Sequence, residues 1–199
     1  MSLDRDFFLR DAVSVAEDLV GCHLIRYPGE NKLTLKIVET EAYCGADDKA
    51  CHAHANKVTD RTEPMFKQGG HLYVYLIYGM YYCFNIVTAH KGSPHAVLIR
   101  AGEPLEGIEH MKNNRDLTSP SLKDLASGPG KLCQALKISA ELSGVDLFST
   151  CKLEVTKGTK SSNPDLPVEK GKRMNIDYAE EYRKKLWRFY VPGSEHLSQ

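Results

Sequence analysis

The sixteen-residue run from Leu72 to Val87 (Leu-Tyr-Val-Tyr-Leu-Ile-Tyr-Gly-Met-Tyr-Tyr-Cys-Phe-Asn-Ile-Val) constrains the fold more than any other part of the 199-residue chain. It is dense in the aromatic and β-branched residues that suit strands, and Gly79 is its only punctuation. Glycine tolerates positive φ, so a tight turn at Tyr78-Gly79 folds the run into a hairpin with an aromatic at its tip.

Periodicity supplies the neighbours of that hairpin. Val13, Ala16, Leu19 and Val20 recur at helical spacing, which predicts a helix over Asp11–Val20 ahead of a strand at His23–Tyr27. After the turn Pro28-Gly29-Glu30-Asn31, strict alternation places Leu33, Leu35, Ile37, Glu39 and Glu41 on one face of a strand. Thr34, Lys36, Val38 and Thr40 fall on the other, so two carboxylates are expected to continue an apolar face. Strand patterns return at Ala96–Arg100, Lys152–Thr156 and Leu186–Val191, and helices are predicted over Leu105–Asn113 and Lys131–Ile138. Strands in meanders with helices outside them predict an α+β domain with a mainly antiparallel sheet.

Size and composition bound the rest. A chain of this length, 42% hydrophobic and 26% charged, can bury one continuous core, and it contains neither an internal repeat nor an interdomain linker. One domain over residues 1–199 is expected. No stretch approaches the roughly 18 consecutive apolar residues of a membrane span, and Met1-Ser2-Leu3-Asp4-Arg5-Asp6 is not a signal segment, so an intracellular protein is expected. The six cysteines (Cys22, Cys44, Cys51, Cys83, Cys133, Cys151) form no CxxC pair and read as reduced thiols. The 26 basic and 26 acidic residues cancel, which by itself argues against a nucleic-acid partner. Their distribution is uneven: residues 1–50 hold six Lys/Arg against ten Asp/Glu and residues 151–188 ten against six, so a neutral protein can still carry a positive face.

Several residues could carry chemistry. Burying a carboxylate costs several kcal/mol unless it is paired or solvated, so Glu39 and Glu41 on a core-facing parity are either a strand end emerging into water or functional acids. With an ordinary pKa of about 4.3, either can accept a proton from water. His52 and His54 lack a second cluster at ligand spacing, and adjacent Cys51 and His52 do not readily converge on one ion, which argues against a metal and leaves His52 as a hydrogen-bond donor or phosphate contact. No Gly-x-Ser-x-Gly elbow or Cys–His motif supports covalent catalysis. Gly128-Pro129-Gly130-Lys131 lacks the earlier glycine and the following Ser/Thr of a P-loop, leaving an ordinary loop into a helix or a single-phosphate site. Asn85 and Arg100, polar on apolar strands, are satisfied buried groups or pocket walls. Tyrosines 73, 75, 78, 81 and 82 suit a core, with Tyr78 placed to project outward.

Taken together, these segments resemble the alkyladenine (3-methyladenine) DNA glycosylase family along nearly the whole chain. The resemblance is carried by residues 36–43 (Lys-Ile-Val-Glu-Thr-Glu-Ala-Tyr), Asp47–His52, Met65-Phe66, Leu72–Asn85, Ala96–Gly107, Gly128–Leu136 and Trp187–Tyr190. It implies a single compact domain around a curved antiparallel sheet with surrounding helices, a protruding DNA-inserting β-hairpin, and no metal or organic cofactor. It implies that Glu41 is the general base activating water against the anomeric carbon of a flipped nucleotide. Tyr43 and Tyr75 match residues that stack on the flipped base, and His52 one that hydrogen-bonds it. Asn85 matches the residue that sterically excludes guanine, and Tyr78 the wedge that enters the minor groove. Arg100 matches a residue that helps hold the water, and Ile176 one whose carbonyl binds it. Met80, Leu98 and Lys131 match DNA-contacting positions. The implied partner is double-stranded DNA with a damaged purine, bound by a monomer, in the nucleoid or cytoplasm of a bacterium or the nucleus of a eukaryote. With no active-site lysine nucleophile, base removal without strand cutting follows.

Two departures stand out. The family pattern Arg-Ile-Gly-Ile reads Arg173-Met174-Asn175-Ile176-Asp177 here, and Gly69 replaces a frequent proline before the hairpin. Two other functions compete: a non-catalytic binder of distorted DNA or structured RNA, which has no need of a pocket carboxylate that repels phosphate, and a glycoside hydrolase on Glu39 and Glu41, which are too close in sequence to flank a sugar.

Overall fold

The computed structural model describes residues 1–116, 121–149, 152–158 and 166–198. Helix α1 (Arg5–Phe8) and helix α2 (Ala12–Leu19) open the chain, and α2 is capped by Asp11, whose side chain accepts the Ser14 N–H at 2.9 Å. Strand β1 (His23–Arg26) leads to the long strand β2 (Leu33–Cys44). The aromatic run becomes β3 (Leu72–Ile77) and β4 (Tyr81–Thr88), followed by the equally long β5 (His95–Glu106). Helices α3 (Ile108–Asn114) and α4 (Pro129–Ala135) come next, then β6 (Leu153–Thr156), β7 (Glu169–Gly171) and β8 (Arg188–Tyr190).

All pairings are antiparallel, in the order β3-β4-β5-β2-β1-β6, with β8 joined to both β2 and β7. Because β2 pairs with β1 near its start and with β8 near its end, the sheet branches and curls around it. The α+β, curved antiparallel architecture implied by the sequence is the one formed. No helix among the described residues is long and apolar enough to cross a membrane. The main core joins α2 (Val15, Ala16, Leu19) and α4 (Leu132, Cys133, Ala135) to one sheet face through Leu35, Ile37, Phe84, Ile86, Val97 and Ile99.

The helix expected from Leu105 begins at Ile108 instead, because β5 continues to Glu106 and Gly107, with φ 76, ends it. Gly69 also has a local reason: its N–H donates to the Ala89 carbonyl at 2.9 Å, a bond proline cannot make, and any Cβ there would collide with the Phe8 carbonyl.

The largest correction concerns β2. Its pairing with β5 is irregular between Ile37 and Thr40, where Glu39 pairs with Ala101. Beyond this point Thr40 and Ala42, not Glu39 and Glu41, share the face of Leu35 and Ile37. The Thr40 hydroxyl donates to the Ala16 carbonyl of α2 at 2.7 Å, Thr40 lies opposite the core residues Ile99 and Phe189, and Ala42 packs in the same core. Glu39, Glu41 and Tyr43 are turned to the opposite face. Strand irregularities of this kind re-aim side chains next to functional sites.

Candidate active site

That opposite face carries a cavity of about 460 Å³. Its side walls are aromatic: Tyr43 from β2, Tyr73 and Tyr75 from β3, and His52 from the loop after β2. The His52 and Tyr75 rings meet edge to face with centroids 4.6 Å apart. His52 Nδ1 lies 2.8 Å from the Tyr73 hydroxyl, and Arg61 Nη2 reaches Nε2 at 3.4 Å. A guanidinium only donates, so Nε2 accepts and the ring proton sits on Nδ1. Burial, reinforced by Arg61, pushes the His52 pKa down to about 4, so the ring is neutral at physiological pH.

The floor is polar. Asn85 is buried and donates to the Tyr73 carbonyl at 3.0 Å, and Leu98 lies beside it in register on β5. Arg100, next along β5, donates from Nη1 to Glu41 Oε2 and from Nε to Glu39 Oε1, each at 3.2 Å. Burial alone would weaken its hold on a proton, but Glu41 and Glu39 more than offset this and raise its pKa above the ordinary value.

Glu41 is fully buried and lies behind the cavity wall formed by Tyr43, Arg100 and Met174. Its Oε1 accepts the Met174 backbone N–H at 2.7 Å, and its Oε2 accepts the Tyr43 hydroxyl at 2.9 Å as well as Arg100. Three donors converge on one acid, the arrangement that suits an acceptor-only carboxylate. Burial and the neighbouring Glu41 hold the Tyr43 pKa well above its usual value, so the phenol stays a donor. The cavity thiols are poor nucleophiles: burial raises Cys83 and lifts Cys51, behind it, to about 11. Five described cysteines are free, and Cys151 lies outside the described residues.

Ile176 lines the cavity with its neighbours Met174 and Asn175. Its carbonyl accepts the Ala179 N–H at 2.9 Å and keeps a second lone pair. Asn175 has φ 58, the left-handed region that glycine and asparagine enter most readily, so the departure from glycine preserves the turn.

At the cavity rim the β3–β4 hairpin turns through Tyr78 (φ 54) and Gly79 (φ 69), with the Met80 N–H donating to the Ile77 carbonyl at 3.2 Å. Two consecutive positive φ angles make the turn that matches strand twist. Tyr78 is 76% and Met80 64% exposed, and Tyr78 borders the cavity whereas Met80 does not. Lys131, at the start of α4, also borders it and donates to the Ser127 hydroxyl at 3.3 Å. The α4 loop seats against the hairpin where Gly130 meets the Tyr81 ring, leaving almost no room for a Cβ.

Five contributors carry no distinguishing mark in the sequence. Arg173 and Asp48 form a fully buried two-pronged ion pair at 2.5 and 2.8 Å, with the Arg173 guanidinium between the Tyr43 and Trp187 rings. Arg61 lies over Tyr75, Met174 supplies its N–H to Glu41, and Ser198 reaches back to Glu39. Asp48 sits in a motif that carried the family resemblance and Arg173 at the head of the segment that departs from it, but nothing in their 125-residue separation links them.

An aromatic-walled cavity backed by a buried acid on a curled antiparallel sheet has the polar and apolar surfaces of an enzyme site. The methylpurine-DNA glycosylase (MPG) family model matches residues 6–195, and the chain belongs to that family, whose members are DNA glycosylases. Among curated relatives it is 50% identical over 198 residues to "Putative 3-methyladenine DNA glycosylase" of Natranaerobius thermophilus, covering 100% of this chain and 99% of that protein. Proteins of the same name from Bacillus cereus (46% identical, 100% of each chain) and Clostridium novyi (44%, 99% of this chain and 98% of that one) match equally fully. The chain is thus a DNA glycosylase, a hydrolase of N-glycosidic bonds whose partner is DNA.

Proposed function

We propose that residues 1–199 form one monofunctional glycosylase domain of base excision repair, acting as a monomer on double-stranded DNA in the bacterial nucleoid. It removes alkylated or deaminated purines (3-methyladenine, 7-methylguanine, hypoxanthine, ethenoadenine) after flipping them from the stack. The observation that carries this reading is Glu41: a carboxylate buried behind an aromatic-walled cavity and held by three donors.

In this reading the flipped purine slides between Tyr43 and the Tyr75–His52 wall, with Asn85 occupying the space that guanine's exocyclic amine would need. Water approaches Glu41 between Tyr43 and Arg100, which both face the cavity, and the free lone pair of the Ile176 carbonyl holds its second hydrogen. Glu41 takes the proton as the water oxygen attacks the anomeric carbon and the purine leaves. Tyr78, with Met80 beside it, fills the vacated stack, and Lys131 holds phosphate. Leu98, buried in the floor, touches only the flipped nucleotide.

The test is excision from duplexes that each carry one defined lesion. Release of damaged purine, leaving an abasic site that breaks only after alkali, is the expected result, because water forms no Schiff base. Tight binding to the same duplexes without release of any base would instead support a binder of distorted DNA.

A further inference from the structure

Glu39 is as deeply buried as Glu41 and, like it, does not itself line the cavity, but the reaction as drawn does not use it. Its two oxygens collect three donors, the Ser198 N–H at 2.7 Å, the Ser198 hydroxyl at 2.8 Å and Arg100 Nε at 3.2 Å, and Oε1 also forms an ion pair with Arg188, whose Nε lies 2.9 Å away. The Ser198 oxygen in turn accepts from Arg100 Nε and Nη2 at 3.3 and 3.2 Å. Arg100 is therefore shared: one edge of its guanidinium is tied to Glu39 and Ser198, and only Nη1 reaches Glu41.

We infer that Glu39, fastened by Ser198, is a positioning residue for the reaction, drawing Arg100 away from Glu41 so that Glu41 keeps the strength of a base. This rests on the reading of Glu41 as the base. A cation shared between two carboxylates polarises each less than one paired with a single carboxylate. Without Glu39, Arg100 would settle on Glu41 alone and favour its carboxylate over its acid form, weakening it as a proton acceptor. Among the other charged or titratable groups around Glu41, Tyr43 on its own strand, Cys83 on β4, and Arg173 and Tyr178 from the segment after β7 keep their partners, whereas Arg188, its register partner on β8, is ion-paired to Glu39. Loss of the Glu39 charge also frees Arg188 to act in the same direction as Arg100.

The experiment is single-turnover excision of hypoxanthine from a duplex by saturating enzyme between pH 5 and 8, for wild type, Glu39→Gln, Ser198→Ala and Glu41→Gln, with duplex affinity and thermal melting measured in parallel. Glu39→Gln should lower the plateau rate about tenfold and move the low-pH limb down by about one pH unit, with affinity unchanged. Ser198→Ala, which keeps the backbone N–H to Glu39, should shift both in the same direction by about a third as much on a logarithmic scale. A Glu39→Gln protein with the wild-type limb, whether or not its rate falls, overturns the inference; if that variant does not fold, a wild-type profile for Ser198→Ala overturns it. Glu41→Gln separates the two claims: inactive Glu41→Gln beside wild-type-like Glu39→Gln removes only the positioning role, whereas active Glu41→Gln removes the base.

Discussion

The acid wall and the hairpin tip meet at one cavity and are built on opposite terms. In the wall, Glu39 and Glu41 have no exposed surface and every oxygen is met by a donor fixed by the fold. At the tip, Tyr78 and Met80 stand mostly in solvent, and Tyr78 holds a left-handed backbone angle that costs a non-glycine residue about 1 kcal/mol. The difference teaches where each region meets its partner. Charge that develops in a reaction is stabilised best by groups organised beforehand, whereas a wedge must leave its apolar surface uncovered until DNA covers it.

If that contrast holds, damage to the wall costs stability and damage to the tip does not. Arg173→Met would strand Asp48 as a buried, unpaired acid and remove the clamp behind Tyr43, so urea unfolding should show a loss of about 3–5 kcal/mol. Replacing both partners by apolar residues should recover much of it, and a single variant as stable as wild type would show that the back wall is not rigidly built.

The next effect is set by His52. Its folded pKa of about 4 lies below the ordinary 6.5, so the unfolded chain takes up a proton first as pH falls. The stability that neutral His52 contributes is present above pH 6.5 and is lost between there and pH 4, by at most about 3 kcal/mol. Unfolding measured across that window should steepen toward acid in wild type and flatten in His52→Gln. Equal slopes would remove His52 from the preorganised side of the comparison.

The smallest stability change belongs to the tip, and its sign is reversed. Tyr78→Asn places a residue tolerant of φ 54 in the turn and should leave stability unchanged or raise it by up to about 1 kcal/mol. The same variant should weaken flipping about tenfold, read from the fluorescence of ethenoadenine in a duplex, because the wedge offsets part of the few kcal/mol that extrusion costs. Unchanged fluorescence, or a destabilised fold, would erase the distinction between the two regions.

The tip was the more legible half in the sequence. A single glycine in a strand-forming run marks the turn, and its neighbours keep their period of two on both sides. The wall was legible in composition but not in direction. Alternation from Leu33 predicts Glu41 on the core face, and the irregular pairing at Glu39 that turns it into the cavity depends on β5 and β8, which arrive later in the chain. Glycine would have signalled the left-handed turn at Asn175, and asparagine carries that signal more faintly. The hold of Ser198 on Glu39 spans 159 residues and leaves no local mark at either end.

The central claim is that Glu41 is needed for chemistry and dispensable for recognition. Glu41→Gln keeps the shape of the side chain and removes the base, so single-turnover excision of hypoxanthine should fall at least about 100-fold while affinity for the same duplex stays level or rises slightly. A Glu41→Gln protein that excised hypoxanthine at the wild-type rate, or lost binding in step with excision, would contradict the account.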